Sequence, residues 1–139
     1  MSLPLFQELK AALNARTPLR RGPAPYTTTP ASVLVPFYEE GGEAKLLFLK
    51  RPDGDYRHAG QIAFPGGKRD PGEDAVACAL REAHEEVGLA PADVELLGEL
   101  DDYNTVVSGF RITPIVERIP ARYAFRPDPF EVERLIHVR

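Results

Sequence analysis

Glu82, Glu85 and Glu86 lie in the run Arg81-Glu82-Ala83-His84-Glu85-Glu86 at spacings i, i+3 and i+4. On a helix that spacing gathers them on one face, since at roughly 100° per residue Glu85 and Glu86 fall within about 60° of Glu82. Val76, Leu80, Ala83 and Val87 form an apolar stripe at helical period on the other side. Like charges this close weaken a helix, and near its C-terminal end the helix dipole opposes them as well. Taken alone, the run reads as a solvated acidic face. Its surroundings point elsewhere: a Gly66-Gly67 loop, an isolated Glu73, Arg81 inside the acidic cluster, and Gly88 where the helix should stop. A hard divalent cation takes carboxylate oxygens from a rigid element and keeps waters for the phosphates of a substrate. These residue types can supply such a site.

Gly67, five residues, Glu73, seven residues, Arg81-Glu82, an aliphatic, any residue, Glu85-Glu86, any residue, Gly88 and an aliphatic fill nine constrained positions over 23 residues. The pattern resembles the Nudix box. The resemblance implies an α/β chain with the Nudix fold, an α/β/α sandwich around a mixed β-sheet. It further implies an enzyme that hydrolyses a nucleoside diphosphate linked to another group. Glu82, Glu85 and Glu86 would bind Mg2+ or Mn2+, with the Gly67 carbonyl as a further ligand. Arg81 would pair with a neighbouring box glutamate, and Glu73 would be such a partner, because it lies far round the helix from Glu82. The general base stays open between Glu82 and Glu85, with Glu99, Asp101 and Asp102 in reserve. The fold usually closes with a helix after its last strand, at the point where this sequence reaches Arg139.

Upstream, Leu46-Leu47-Phe48-Leu49-Lys50-Arg51 precedes His58-Ala59-Gly60-Gln61-Ile62-Ala63-Phe64-Pro65-Gly66-Gly67. This resembles the extra signature of the coenzyme A diphosphatase branch, with Leu49 and Pro52 departing from it. The implied reaction cleaves coenzyme A, or a derivative, to 4′-phosphopantetheine and 3′,5′-ADP. ADP-ribose, NADH, a dinucleoside polyphosphate or an oxidised dNTP are the rival substrates, and a catalytically inactive nucleotide-binding module is the rival of another class. A diphosphate and a 3′-phosphate need cations, and Arg suits bidentate phosphate contacts. Arg51, Arg57, His58, Lys68 and Arg69 lie in or beside the segment and, with Gly66, make the expected substrate-binding set. His84 reads as structural or exposed, and Cys78 as a buried small residue. Tyr103 and Phe110 could stack on an adenine, with core packing favoured for Phe110.

The elements that must position these groups follow from periodicity and punctuation. At 139 residues, 43% hydrophobic and 27% charged, the chain reads as one domain over 1–139. Leu3 to Ala15 has helical period, giving an N-terminal helix within 1–16, and a Pro-rich linker spans 17–30. Strands are expected over 31–38, 44–50, 58–64, 94–100, 110–119 and 131–138, with the box loop and helix at 67–89. Pro36 and Pro114 suggest bulges, edges or unpaired ends. A net charge of −4 disfavours nucleic acid and anionic membranes as main partners. The single cysteine excludes an intrachain disulfide. With no long apolar run and no signal-like start, the expected location is cytoplasmic. The sequence leaves a homodimer open.

Overall fold

The computed structural model describes residues 3–19, 29–54, 59–105 and 109–139. Arg57 and His58 lie outside the described residues. Helix α1 (Pro4–Asn14) begins with Pro4 in its first turn and has no side-chain cap. Helix α2 (Ala75–Val87) is capped at both ends, by Gly88 at the stop expected from the sequence and by Asp74, a residue type that favours the N-cap. The Asp74 carboxylate accepts from Ala77 N–H at 2.7 Å, and Gly88 adopts φ 73°, the left-handed conformation that stops a helix.

The strands are β1 (Thr29–Glu40), β2 (Glu43–Lys50), β3 (Ile62–Ala63), β4 (Gly66–Lys68), β5 (Glu95–Glu99), β6 (Tyr103–Thr105), β7 (Phe110–Arg118) and β8 (Arg134–Val138). They form one mixed sheet in the order β3-β2-β1-β7-β5, with β4 added to β1, β6 to β7 and β8 to β2. β1 and β7 run parallel from Thr29↔Phe110 to Phe37↔Arg118, and the other pairings are antiparallel.

Side-chain alternation along a strand sends neighbours to opposite faces. Leu34 and Ile115 join Leu47, Leu49, Ala79, Ala83 and Val87 in a core beneath α2. Val35 and Val116 join Phe6, Leu13 and Leu97 in a second core beneath α1. The result is an α/β/α arrangement in which α2 covers the face next to the Gly66-Gly67 loop. Burying each large aliphatic side chain contributes about 1.5–3 kcal/mol, so both helices are held mainly by these faces.

Three expectations change. Of the strand expected over 58–64, the described residues 59–64 form only Ile62–Ala63 on β2, because Gly60 turns at φ 72° and Pro65 separates it from β4. The stretch between the strands expected over 94–100 and 110–119 contains β6, whose Tyr103 and Thr105 pair with Ile112 and Phe110. Pro36 and Pro114 lie inside long strands with unbroken parallel register. Leu34 N–H donates to Pro65 O, so the residue two positions on, Pro36, would present its missing N–H on the same edge. That edge is paired to β4 over Ala31–Val33 and to β2 over Phe37–Glu40, and Pro36 falls in the interval. Pro114 falls where β7 passes from β6 to β5, and its carbonyl accepts from Leu100 N–H at 3.0 Å.

Candidate active site

The loop and the acidic helix meet through two glycines. A Cβ on Gly66 would strike the Ser32 carbonyl oxygen and come within 2.8 Å of Val33 Cα. A Cβ on Gly67 would lie 2.6 Å from the carboxyl carbon of Glu82. At Gly66 only hydrogen fits while β4 stays paired to β1, and at Gly67 a methyl group would displace the Glu82 carboxylate. Gly66 N–H uses that closeness to donate to Glu86 Oε1 at 2.7 Å.

Arg81 organises the rest of the box. Its Nε and Nη2 donate to the two Glu73 oxygens at 2.8 and 3.0 Å. Nη1 reaches Glu82 Oε1 at 2.9 Å and Glu85 Oε2 at 3.2 Å, and Nη2 also donates to Lys68 O at 3.0 Å. The Arg81 hydrogen bonds, helped by Asp70 N–H, pull the Glu73 carboxyl down to about 2. The same pairing, with Glu73 foremost, raises the Arg81 guanidinium. Arg81 and Glu73 thus form a permanently ionised clamp tying the helix to the loop.

The three box glutamates are not equivalent. Glu86 is buried, 3% exposed, and shares the covered side of α2 with Ala79, Ala83 and Val87. The division into an apolar face and an open acidic face therefore fails at this residue. Desolvation pushes its carboxyl up to about 8 against the opposing pull of Gly66 N–H and Arg51. Burial likewise raises Glu82, partly offset by Arg81. Glu85 points outward, with its side chain 57% exposed.

Glu82 and Glu86 stand with Gly66 and Gly67 on the wall of a cavity of about 820 Å3. The same wall carries Arg51, Lys68 and Glu131 and an apolar strip of Phe48, Ile62, Phe64, Tyr103, Phe110 and Phe130. Phe48 and Phe64 stack at 4.5 Å between ring centroids, and Phe130 is 89% exposed. Arg51 Nη1 lies 3.3 Å from Glu131 Oε2 and 3.9 Å from Glu86 Oε2. Lys68 Nζ sits 5.9 Å from the centroid of the Phe110 ring. Phe110 thus lines the cavity rather than joining either core.

Arg69 turns elsewhere. Its Nη2 donates to Thr113 Oγ1 at 2.6 Å, and the Thr113 hydroxyl donates to Asp102 Oδ1 at 2.7 Å. Neither Arg69 nor Asp102 is on the cavity wall, because this chain of hydrogen bonds holds both against β7. Asp101 is paired with Arg16, and Glu99 faces the cleft beside α1. Cys78 is fully buried, with Sγ 3.4 Å from Gly67 O, and His84 is exposed. Glu131 and Phe130 carry no signal in the box or in the segment preceding it. They reach the cavity from the segment between β7 and β8.

The donor set fits a hard cation in kind. Glu82 and Glu86 from a helix share one cavity wall with Gly67 from a strand, and Glu86 is a desolvated carboxyl whose ionised form calls for a positive partner. Among the described residues, no three acidic, His or Cys side chains already stand close enough to share one ion. Arg81 holds Glu82 and Glu85 in the meantime.

Comparison with known proteins agrees with this geometry. Residues 28–134 match the NUDIX domain family model. Over 113 residues the chain is 42% identical to proteins named "Uncharacterized Nudix hydrolase NudL" from Yersinia pestis and Yersinia pseudotuberculosis, covering 81% of this chain and 56% of theirs. The chain thus spans about half the length of these curated relatives. The structure is similar to a C. elegans Ap4A hydrolase binary complex, with TM-score 0.67 and 19% identity over 81% of this chain and 80% of that one. It is similar also to the M. smegmatis Nudix hydrolase RenU, with TM-score 0.64 and 23% identity over 81% and 71%. These two likenesses concern the fold. With the family model spanning most of the sequence, the chain belongs to the Nudix family.

Proposed function

We propose that the chain is a divalent-cation-dependent diphosphatase that cleaves coenzyme A, or a derivative of it, to 4′-phosphopantetheine and 3′,5′-ADP. The observation that carries this reading is convergence. Gln61 to Phe64, from the segment that resembles the coenzyme A signature, lines the same cavity as Glu82 and Glu86 from the box. A charged end for a diphosphate thus adjoins an apolar strip for the pantetheine arm or the adenine.

Glu82, Glu85 and Glu86, with the Gly67 carbonyl, would hold Mg2+ or Mn2+. When bound, such an ion neutralises diphosphate charge and acidifies a water. Arg81 and Glu73 tie the loop to α2 and keep the Glu82 and Glu85 carboxylates beside it. Arg51 and Lys68 supply positive charge on the cavity wall. Glu82, half-buried and raised by desolvation, is the residue we assign as proton acceptor. The partner is a small molecule. Among the described residues no helix is long and apolar enough to cross a membrane.

A substrate panel tests the reading. Coenzyme A, ADP-ribose, NADH and a dinucleoside polyphosphate are compared by kcat/KM with Mg2+ and Mn2+. The expected result is a preference for coenzyme A of at least about tenfold. Cleavage of ADP-ribose with coenzyme A left intact would overturn the substrate assignment.

A further inference from the structure

We infer that Glu131 is a positioning residue. It holds the Arg51 guanidinium off Glu86 and aims it at the phosphates of the substrate. The inference rests on the cavity being a nucleotide diphosphate site, as proposed above.

Arg51 is the one arginine on the described cavity wall, and it faces two carboxylates. Glu86 is buried and lies 3.9 Å away, while Glu131, half-exposed, is closer at 3.3 Å. Once ionised, a buried carboxylate is the stronger attractor for an unrestrained guanidinium, since opposite charges interact more strongly where water is excluded. A closer Arg51–Glu86 approach would turn the guanidinium inward, away from phosphates in the cavity. Glu131 supplies the competing partner on the open side.

A half-exposed carboxylate is an effective guide only if its backbone is fixed. Residues 126–133 form a strap anchored at both ends. Arg126 N–H donates to Val87 O and Asp128 N–H to Glu86 O, each at 2.8 Å, which fastens the strap to the C-terminal carbonyls of α2. Glu133 N–H donates to Lys50 O at 2.8 Å, which fastens it to the strand end beside Arg51. Between the anchors, Val132 N–H and Glu131 N–H turn back onto Asp128 O at 2.8 and 3.1 Å, and the Val132 side chain is buried in the core beneath α2. The strap is therefore tied to the element carrying Glu86 and to the element carrying Arg51. Glu131 stands between them.

The alternative is an ordinary surface ion pair, which contributes little to stability and nothing to ligand binding. The two differ in a double-mutant cycle on Arg51 and Glu131, read by calorimetric affinity for ADP in the presence of Mn2+ and by coenzyme A kinetics. Positioning predicts that Glu131→Ala weakens ADP binding and raises KM by about tenfold, with kcat changed by less than about threefold. Glu131→Gln recovers most of the loss, because its amide oxygen still accepts from Arg51. In an Arg51→Ala background, Glu131→Ala adds nothing. Unchanged ADP affinity in Glu131→Ala, or full additivity with Arg51→Ala, would overturn the inference. So would a large kcat loss shared equally by Ala and Gln, which would assign Glu131 to proton transfer. If the wild type leaves coenzyme A intact, the substrate proposal falls and the ADP affinities alone still decide the role of Glu131.

Discussion

Gly67 cannot acquire even a methyl group without displacing Glu82. Neither Gly66 nor Gly67 is among the positive-φ positions. The requirement is close approach of a strand backbone to the carboxylates of α2. Gly67→Ala should lower kcat/KM by about 100-fold, since a misplacement of about an ångström at a reacting centre has that effect. Circular dichroism should show the fold retained. Activity near wild type would show that Glu82 need not rest against Gly67. Glu86 gives a second prediction at this scale. Burial pushes its carboxyl up to about 8, so in the ion-free protein it carries a proton at pH 7. Binding a divalent cation should release that proton, and affinity should rise as pH climbs from about 6 to 8. Titration of Mn2+ in two buffers of different ionisation enthalpy measures the release, and identical observed heats in the two buffers would contradict it. The box residues were legible because their chemistry is written in short spacings along one helix. Glu131 was not, because it meets Arg51 across a separation of 80 residues.

At the scale of elements, the ends of α2 were legible in Asp74 and Gly88, because caps are local chemistry. The central strands were less so, because each proline is tolerated through partners far away in sequence. The same strand β7 carries Glu117, fully buried, with neither carboxylate oxygen partnered among the described residues. Its neighbours in register are Pro36 and Leu96, neither of which offers a donor on its side chain. Desolvation alone raises Glu117 to about 8. A carboxyl raised on folding keeps a proton that the unfolded chain releases above about pH 4.5. Its contribution to stability is therefore fully present below that pH and is lost as pH rises towards 8. Glu117→Gln should remove this dependence. The difference in Tm between the variant and the wild type should shift in the variant's favour between pH 5 and pH 8.5, as measured by scanning calorimetry. Parallel curves over that range would show that Glu117 finds a partner when it ionises.

For the whole molecule, one cavity gathers residues from β1, β2, α2, the 61–68 segment, β6, β7 and the strap before β8. The fold class was legible from the box and the strand pattern, and the solved structures it resembles share that fold. The cavity's apolar strip was legible only in part: Tyr103 and Phe110 stand out as adenine-stacking candidates, whereas Phe48 and Phe130 come from separate parts of the chain and read in sequence as ordinary hydrophobics. A net charge of −4 also makes the local arrangement necessary, because an anionic substrate must be met by a bound cation and by Arg51 and Lys68 rather than by the protein's overall field. The central claim is that this cavity hydrolyses the diphosphate of coenzyme A through cation-binding carboxylates. Mass spectrometry of products from coenzyme A tests it, using the wild type with and without Mg2+ or Mn2+ and Glu86→Gln with the ion present. The account predicts 4′-phosphopantetheine and 3′,5′-ADP from the wild type only when the ion is present, and turnover reduced by about 1,000-fold or more in Glu86→Gln. Intact coenzyme A under all conditions, or equal product from Glu86→Gln, would contradict it.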